Sequence, residues 1–163
     1  MNVEGCLGCD VVSGRLQIPG GLVHQADHWV VNHVVGSMNL GTLVLSPRDH
    51  VVAVADLTVE AADELGPLLR RTAQVVESIL EPEQTYVSSW AHGEHGRKHL
   101  HIVVQPITSA TVAEYDGALS EQLQAAMLRS GRESDAYDVE QFCRLAARRF
   151  AGAADSGPED APE

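Results

Sequence analysis

The chain has 163 residues and a mass of 17.5 kDa, the size of one domain that buries about two-thirds of its unfolded surface without needing disulfides. No apolar run approaches the roughly 18–20 residues of a membrane span, and the start MNVEGCLGCD has neither a basic nor a hydrophobic signal region, so a cytoplasmic protein with no membrane association is expected. Eleven basic against 23 acidic residues leave a net charge of −12, which sets the overall field against long nucleic acids and leaves room for a small phosphorylated ligand held by a few local cations.

The first feature in chain order is Cys6-Leu7-Gly8-Cys9, followed by VVSGRLQIPGG. From Leu22 to Val54 the chain reads as short β segments, with His28–Asn32 and Thr42–Ser46 as apolar runs of strand length. A helical block follows over Thr58–Leu80 with Thr58 as its N-cap, and Leu65, Leu68, Leu69, Val76, Ile79 and Leu80 make its apolar face. Gly66-Pro67 predicts a kink or two abutting helices there.

Two more strands are expected over Thr85–Trp90 and His99–Val104, joined by the polar loop AHGEHGRK. Beyond Pro106 the chain turns helical. One segment carries Leu119, Leu123 and Met127 and ends near Gly131, and another runs from about Asp138 to Phe150 with Phe142, Leu145 and Phe150 on one side. The order predicts an α+β domain with a mainly antiparallel sheet. Its expected organisation is a domain over residues 1–110, a helical extension over 111–150 packed on it, and a disordered acidic tail over 151–163.

Chemistry concentrates in Lys98-His99-Leu100-His101-Ile102-Val103-Val104-Gln105-Pro106. In a strand, His99 and His101 share one side, while Leu100, Ile102 and Val104 line the other and belong to the core. Cys6 and Cys9 read as a redox pair, as half of a metal site, or as chance. A redox pair belongs at the helix start of a thioredoxin-like unit, and none follows here. A closed tetrahedral zinc site needs two further nitrogen or sulfur ligands, for which His50 and His99 are candidates. Cys143, in the last helix, reads as a small buried apolar residue.

In this order and spacing, the C-x-x-C, the strand around DHWVVN, LVLSPRDH, the helix opening at DLT and the closing HLHIVVQP resemble the histidine triad superfamily of nucleotidyl hydrolases and transferases. The resemblance runs from about Cys6 to Pro106. It implies a histidine triad α+β fold and attack by a strand histidine on the α-phosphorus of a phosphoanhydride. The resulting nucleotidyl-histidine is then resolved by water or another acceptor. It also implies a small nucleotide substrate and a homodimer.

The family's active strand carries three alternate histidines, and this chain has two of them. Two registers are open. In one, His99 is first, His101 is the nucleophile and Val103 holds the third place. In the other, Arg97 stands first, His99 is the nucleophile and His101 is third.

The spacing to Pro106 favours the first register. So do zinc-containing members such as galactose-1-phosphate uridylyltransferases, which use the C-x-x-C, the turn histidine and the first strand histidine as ligands and carry glutamine in the third place. By that resemblance Cys6, Cys9, His50 and His99 hold a structural Zn2+, and His101 is catalytic. Asn32 stands where members contact the ribose. Arg97, with Lys98, is a candidate replacement for the missing phosphate donor. A second functional class stays open: a zinc-stabilised nucleotide-binding or interaction module with a degraded triad. His92 and His95 in the loop are candidates to protonate a leaving group, and His24, His28 and His33 receive no role.

Overall fold

The computed structural model describes residues 3–89 and 97–152. The loop histidines His92 and His95, Trp90 and the tail beyond Gly152 lie outside the described residues. The elements are α1 (Leu7–Val12), β1 (Leu22–Gln25), β2 (Trp29–His33), β3 (Leu43–Pro47), α2 (Val59–Leu80), β4 (Gln84–Ser88), β5 (Ile102–Ile107), α3 (Ser109–Glu114), α4 (Ser120–Ser130) and α5 (Ala136–Phe150), with a 3-10 turn at Val54–Asp56. The strands form one sheet in the order β1-β2-β3-β5-β4, with every neighbouring pair antiparallel.

Alternation along the strands gives the sheet two unlike faces. Trp29 and Val31, Leu43 and Leu45, and Ile102 and Val104 point to one face, where Leu68, Val75 and Val76 of α2 and Val139, Phe142, Cys143 and Ala146 of α5 complete the main core. Each such side chain, fully buried, contributes about 1.5–3 kcal/mol before conformational entropy is charged against it. Leu100 belongs to this core, as strand alternation predicts, and so does Cys143, the small buried apolar residue expected in the last helix.

Thr58 caps α2, its hydroxyl accepting from the Ala61 N–H at 3.2 Å. The helix then runs unbroken through Pro67 rather than dividing into two. Ala61 is buried before the proline, and Leu68, Thr72, Val75 and Val76 after it, so packing keeps the helix continuous despite the lost backbone bond.

The opposite face carries Val30 and Asn32, Val44 and Ser46, and Val103 and Gln105. At its Gln105 end, Ile107 packs with Leu123 and Met127 of α4, bordered by Tyr86, Val112 and Tyr115. A polar chain crosses this contact. Gln124 Nε2 donates to Gln105 Oε1 at 2.6 Å, and Gln105 Nε2 donates to Asn39 Oδ1 at 2.7 Å. These bonds offset the cost of burying Gln105. Gln105 therefore seats a helix, and His101 lies four residues away, about 13 Å along the strand.

Two segments depart from the expected strands. β5 begins at Ile102, not His99. The Leu100 N–H bonds to Val51 O at 2.7 Å, beyond the Pro47–His50 turn, so the ladder to β3 is interrupted just before the strand. β4 ends at Ser88, two residues short of the expected Trp90.

His33 is a structural residue. It is buried, its Nδ1–H donates to Val34 O at 3.0 Å, and its Nε2 accepts from the Gly41 N–H at 3.0 Å. A neutral imidazole satisfies both bonds, and burial holds its pKa below the ordinary histidine value. Above about pH 6.5 the ring is neutral folded or unfolded; below it the unfolded chain takes the proton first. Thermal midpoints should therefore fall as the pH drops from 7.5 to 5.5. His33→Gln should be less stable at pH 7.5 but show a shallower pH slope; an unchanged slope would remove His33 from this role.

Candidate metal centre and adjoining histidine

Cys6 is the N-cap of α1, its Sγ accepting from the Cys9 N–H at 3.5 Å. Residues three apart lie on one side of a helix, so this single turn presents both thiols in the same direction. The cluster they face comes from two distant segments. His50 ends the turn after β3, and His99 precedes β5. Cys9 Sγ lies 3.4 Å from His50 Nδ1 and 3.6 Å from His99 Nδ1, and Cys6 Sγ lies 3.5 Å from His99 Nδ1. All four ligand atoms fall within 4.8 Å of one another.

These separations fit a metal. With Zn–S about 2.3 Å and Zn–N about 2.0–2.1 Å, the sulfur–nitrogen edge of a tetrahedron is about 3.6 Å. The orientation fits as well. His99 Nε2 donates to Pro47 O at 3.0 Å, which leaves Nδ1 unprotonated and turned to the thiols. Burial lowers the pKa of His99, favouring this neutral form, and burial raises that of the Cys6 thiol. A bound dication reverses the effect on the thiol, because its charge stabilises the thiolate. The rings of His50 and His99 meet edge to face, with centroids 5.4 Å apart.

Gly8 completes the arrangement. A Cβ at this position would lie 2.5 Å from Cγ of the His99 ring and 2.8 Å from its Nδ1. The ring thus lies directly against the backbone of α1, and position 8 tolerates no side chain. Sequence reading weighed only the cysteines of the motif and missed this glycine, for which the C-x-G-C spacing carried no signal of close approach.

The backbone of His99 continues into the second histidine. His101 is half-buried and donates its Nδ1–H to the carbonyl of His99 at 3.0 Å. A carbonyl can only accept, so the proton sits on Nδ1 and the Nε2 lone pair has no partner among the described residues. The Ser89 hydroxyl holds the His101 carbonyl at 2.8 Å. Asn32 lies on the same face of the sheet, 4% exposed, with Nδ2 donating to His33 O at 2.7 Å and Oδ1 buried without a hydrogen-bond partner. Arg97 and Lys98 are exposed where the described chain resumes. The structure therefore brings Cys6, Cys9, His50 and His99 together and sets His101 beside them. It places Asn32 on the same face and leaves Arg97 in solvent.

Among solved structures, a Zn-bound histidine triad family protein from Mycobacterium smegmatis superposes with a TM-score of 0.65 at 16% identity, covering 90% of this chain and 96% of that one. A histidine triad nucleotide-binding protein from Sulfolobus tokodaii gives a TM-score of 0.67 at 12% identity, over 90% and 93% of the two chains. A HIT family protein from Bacillus subtilis gives 0.60 at 16%, over 94% and 100%. No protein-family model matches the sequence, and no curated protein does. The class defined is an α+β protein with the histidine triad fold. The sequence resemblance to that family, traced from Cys6 to Pro106, extends at the level of fold to about nine-tenths of the chain, the helices after Pro106 included.

Gly8→Ala should displace the His99 ring and weaken Zn2+ binding at least tenfold, measured by competition with a chromogenic chelator. Affinity equal to wild type would show that the ring can move without cost to the cluster.

Proposed function

We propose that the protein is a zinc-stabilised nucleotide hydrolase or nucleotidyltransferase of the histidine triad type, acting on a phosphoanhydride through His101. The observation that carries this is the state of the two neighbouring rings. His99 has both nitrogens engaged, one with Pro47 O and one toward the thiols, whereas His101 has one nitrogen held and the other free. That division supports the register in which His99 is a ligand and His101 the nucleophile.

A nucleophilic histidine must be neutral, with its tautomer fixed. The His99 carbonyl fixes the tautomer of His101: it accepts the Nδ1–H and leaves the lone pair on Nε2. Attack by Nε2 on the α-phosphorus forms a P–N bond as the bond to the leaving phosphate breaks. Water or another acceptor then attacks the same phosphorus, the P–N bond breaks, and the nucleotidyl group departs with His101 restored. Nδ1 stays protonated throughout, and the positive charge that forms on the ring is shared with the His99 carbonyl. Asn32 Oδ1, an acceptor with no partner, suits a ribose hydroxyl. Cys6, Cys9, His50 and His99 would hold Zn2+, which would supply a rigid cross-link fixing the chain that leads into His101.

Among the described residues no helix is long and apolar enough to cross a membrane. We place the protein in the reducing cytoplasm, where the thiols are available to metal, and as a homodimer by analogy with the family.

Purified without added metal, wild type should carry about one zinc per chain. His101→Ala should retain that zinc and lose at least a thousandfold in turnover of a dinucleoside polyphosphate or nucleoside phosphoramidate. His99→Ala should lose the metal and melt at lower temperature. Turnover by His101→Ala at the wild-type rate would remove it as nucleophile, and nucleotide affinity without turnover by wild type would assign the protein to the binding-module class.

A further inference from the structure

Attack at phosphorus places growing negative charge on the non-bridging oxygens, and hydrogen-bond donors must face them. The third position of the triad, which serves this need elsewhere in the fold family, is here Val103, buried and without a donor. Among the described residues on that face, the amides are occupied: Asn32 Nδ2 by His33 O, and Gln105 Nε2 by Asn39 and Met127.

Ser46 is different. The β3–β5 register runs Leu43↔Val104, Val44↔Val103, Leu45↔Ile102, so Ser46 and His101 are the residues that follow the last pair on the two chains, where the ladder ends. Ser46 alternates with the core residues Leu43 and Leu45, so its side chain shares the His101 face. The residue is 6% exposed, its hydroxyl has no hydrogen bond within the described residues, and its Oγ keeps a small exposed area. With apolar Val30 opposite it on β2, this hydroxyl makes no contact that alanine would lose. Ser88 also carries a hydroxyl on this face, but it pairs with Val103 and lies diagonal to His101, at about 7–8 Å.

We propose, building on the nucleotidyl chemistry assigned above to His101, that Ser46 is a phosphate-binding residue. Its Oγ–H donates to a non-bridging oxygen of the α-phosphate as that group sits over His101 Nε2. It supplies the donor that position 103 lacks. No covalent change occurs at Ser46; the hydroxyl proton remains on Oγ, and the bond shortens as charge develops on the phosphate.

The test is binding and turnover with full-length, metal-loaded protein. Probes are the four ribonucleoside 5′-monophosphates and the corresponding nucleosides, measured by calorimetry on wild type, Ser46→Ala and Ser46→Thr. A phosphate contact predicts that Ser46→Ala binds the preferred monophosphate about tenfold more weakly, binds its nucleoside unchanged, and turns substrate over at least tenfold more slowly, with Ser46→Thr restoring most of both. A general packing defect would weaken nucleoside and nucleotide alike. Ser46→Ala with wild-type affinity for both probes overturns the assignment, as does equal weakening of both. Monophosphate binding lost selectively in Ser46→Ala, but with no turnover by wild type, upholds the phosphate contact and refutes the catalytic function of His101. Wild type binding neither probe class overturns both.

Discussion

The ring of His99 is wedged between the backbone of α1 at Gly8, the two thiols of that helix, and the carbonyl of Pro47, and the rest of the site depends on this placement. Its Nε2 is spent on β3, which orients its Nδ1 toward sulfur. Its carbonyl in turn accepts a hydrogen bond from the Nδ1–H of His101. One residue therefore joins three segments far apart in the chain and sets the tautomer of its neighbour two positions on. Strand pairing alone could not do this. The ladder between β3 and β5 stops at Leu45↔Ile102, and the histidine segment is held by side chains and by the single bond from Leu100 to Val51.

The sheet divides its labour by face and by end. One face is closed with apolar side chains from α2 and α5, which supply the stability. The opposite face mixes polar and apolar residues and is closed differently at its two ends. At the Gln105 end, α4 docks through an amide chain running from Gln124 to Asn39. At the other end stand His101 and Ser46, and Asn32, paired with Val44, lies between the two ends with a buried Oδ1 that has no hydrogen-bond partner among the described residues. Native interiors seldom leave buried polar groups without partners. The same logic separates the histidines: His33 has both nitrogens satisfied by backbone and holds a turn, while His101 has one nitrogen to spare.

Much of the fold was legible from local pattern. The cap at Thr58, the end of α4 at Gly131, and the inward set Leu100, Ile102, Val104 follow from rules that act within a few residues, and all appear where those rules put them. Pro67 shows the limit of such rules, since with burial on both sides of the proline α2 continues as one helix instead of dividing into two. The start of β5 shows it again: alternation from His99 onward is real, but hydrogen bonding to β3 is not local and begins only at Ile102. Cys6, Cys9, His50 and His99 were legible as a set because metal-binding residue types are few and their spacing matched a known family pattern.

The amino-acid sequence by itself determined which residues could do chemistry here: two thiols one helical turn apart, two histidines on one side of an extended segment, and a turn histidine after Pro47. Those are properties of residue type and short spacing. Tertiary structure alone decided what each histidine is. Whether an imidazole binds metal, offers a lone pair or fills a turn depends on which carbonyl or N–H stands beside each ring nitrogen, and those partners come from Pro47, His99, Val34 and Gly41 through folding. Register likewise decided that Leu45, next to Ser46, pairs with Ile102, next to His101, although the two segments lie more than 50 positions apart in the chain. Hydrogen-bond partners and cross-strand neighbours are set by the whole chain at once, and no local stretch of sequence encodes them.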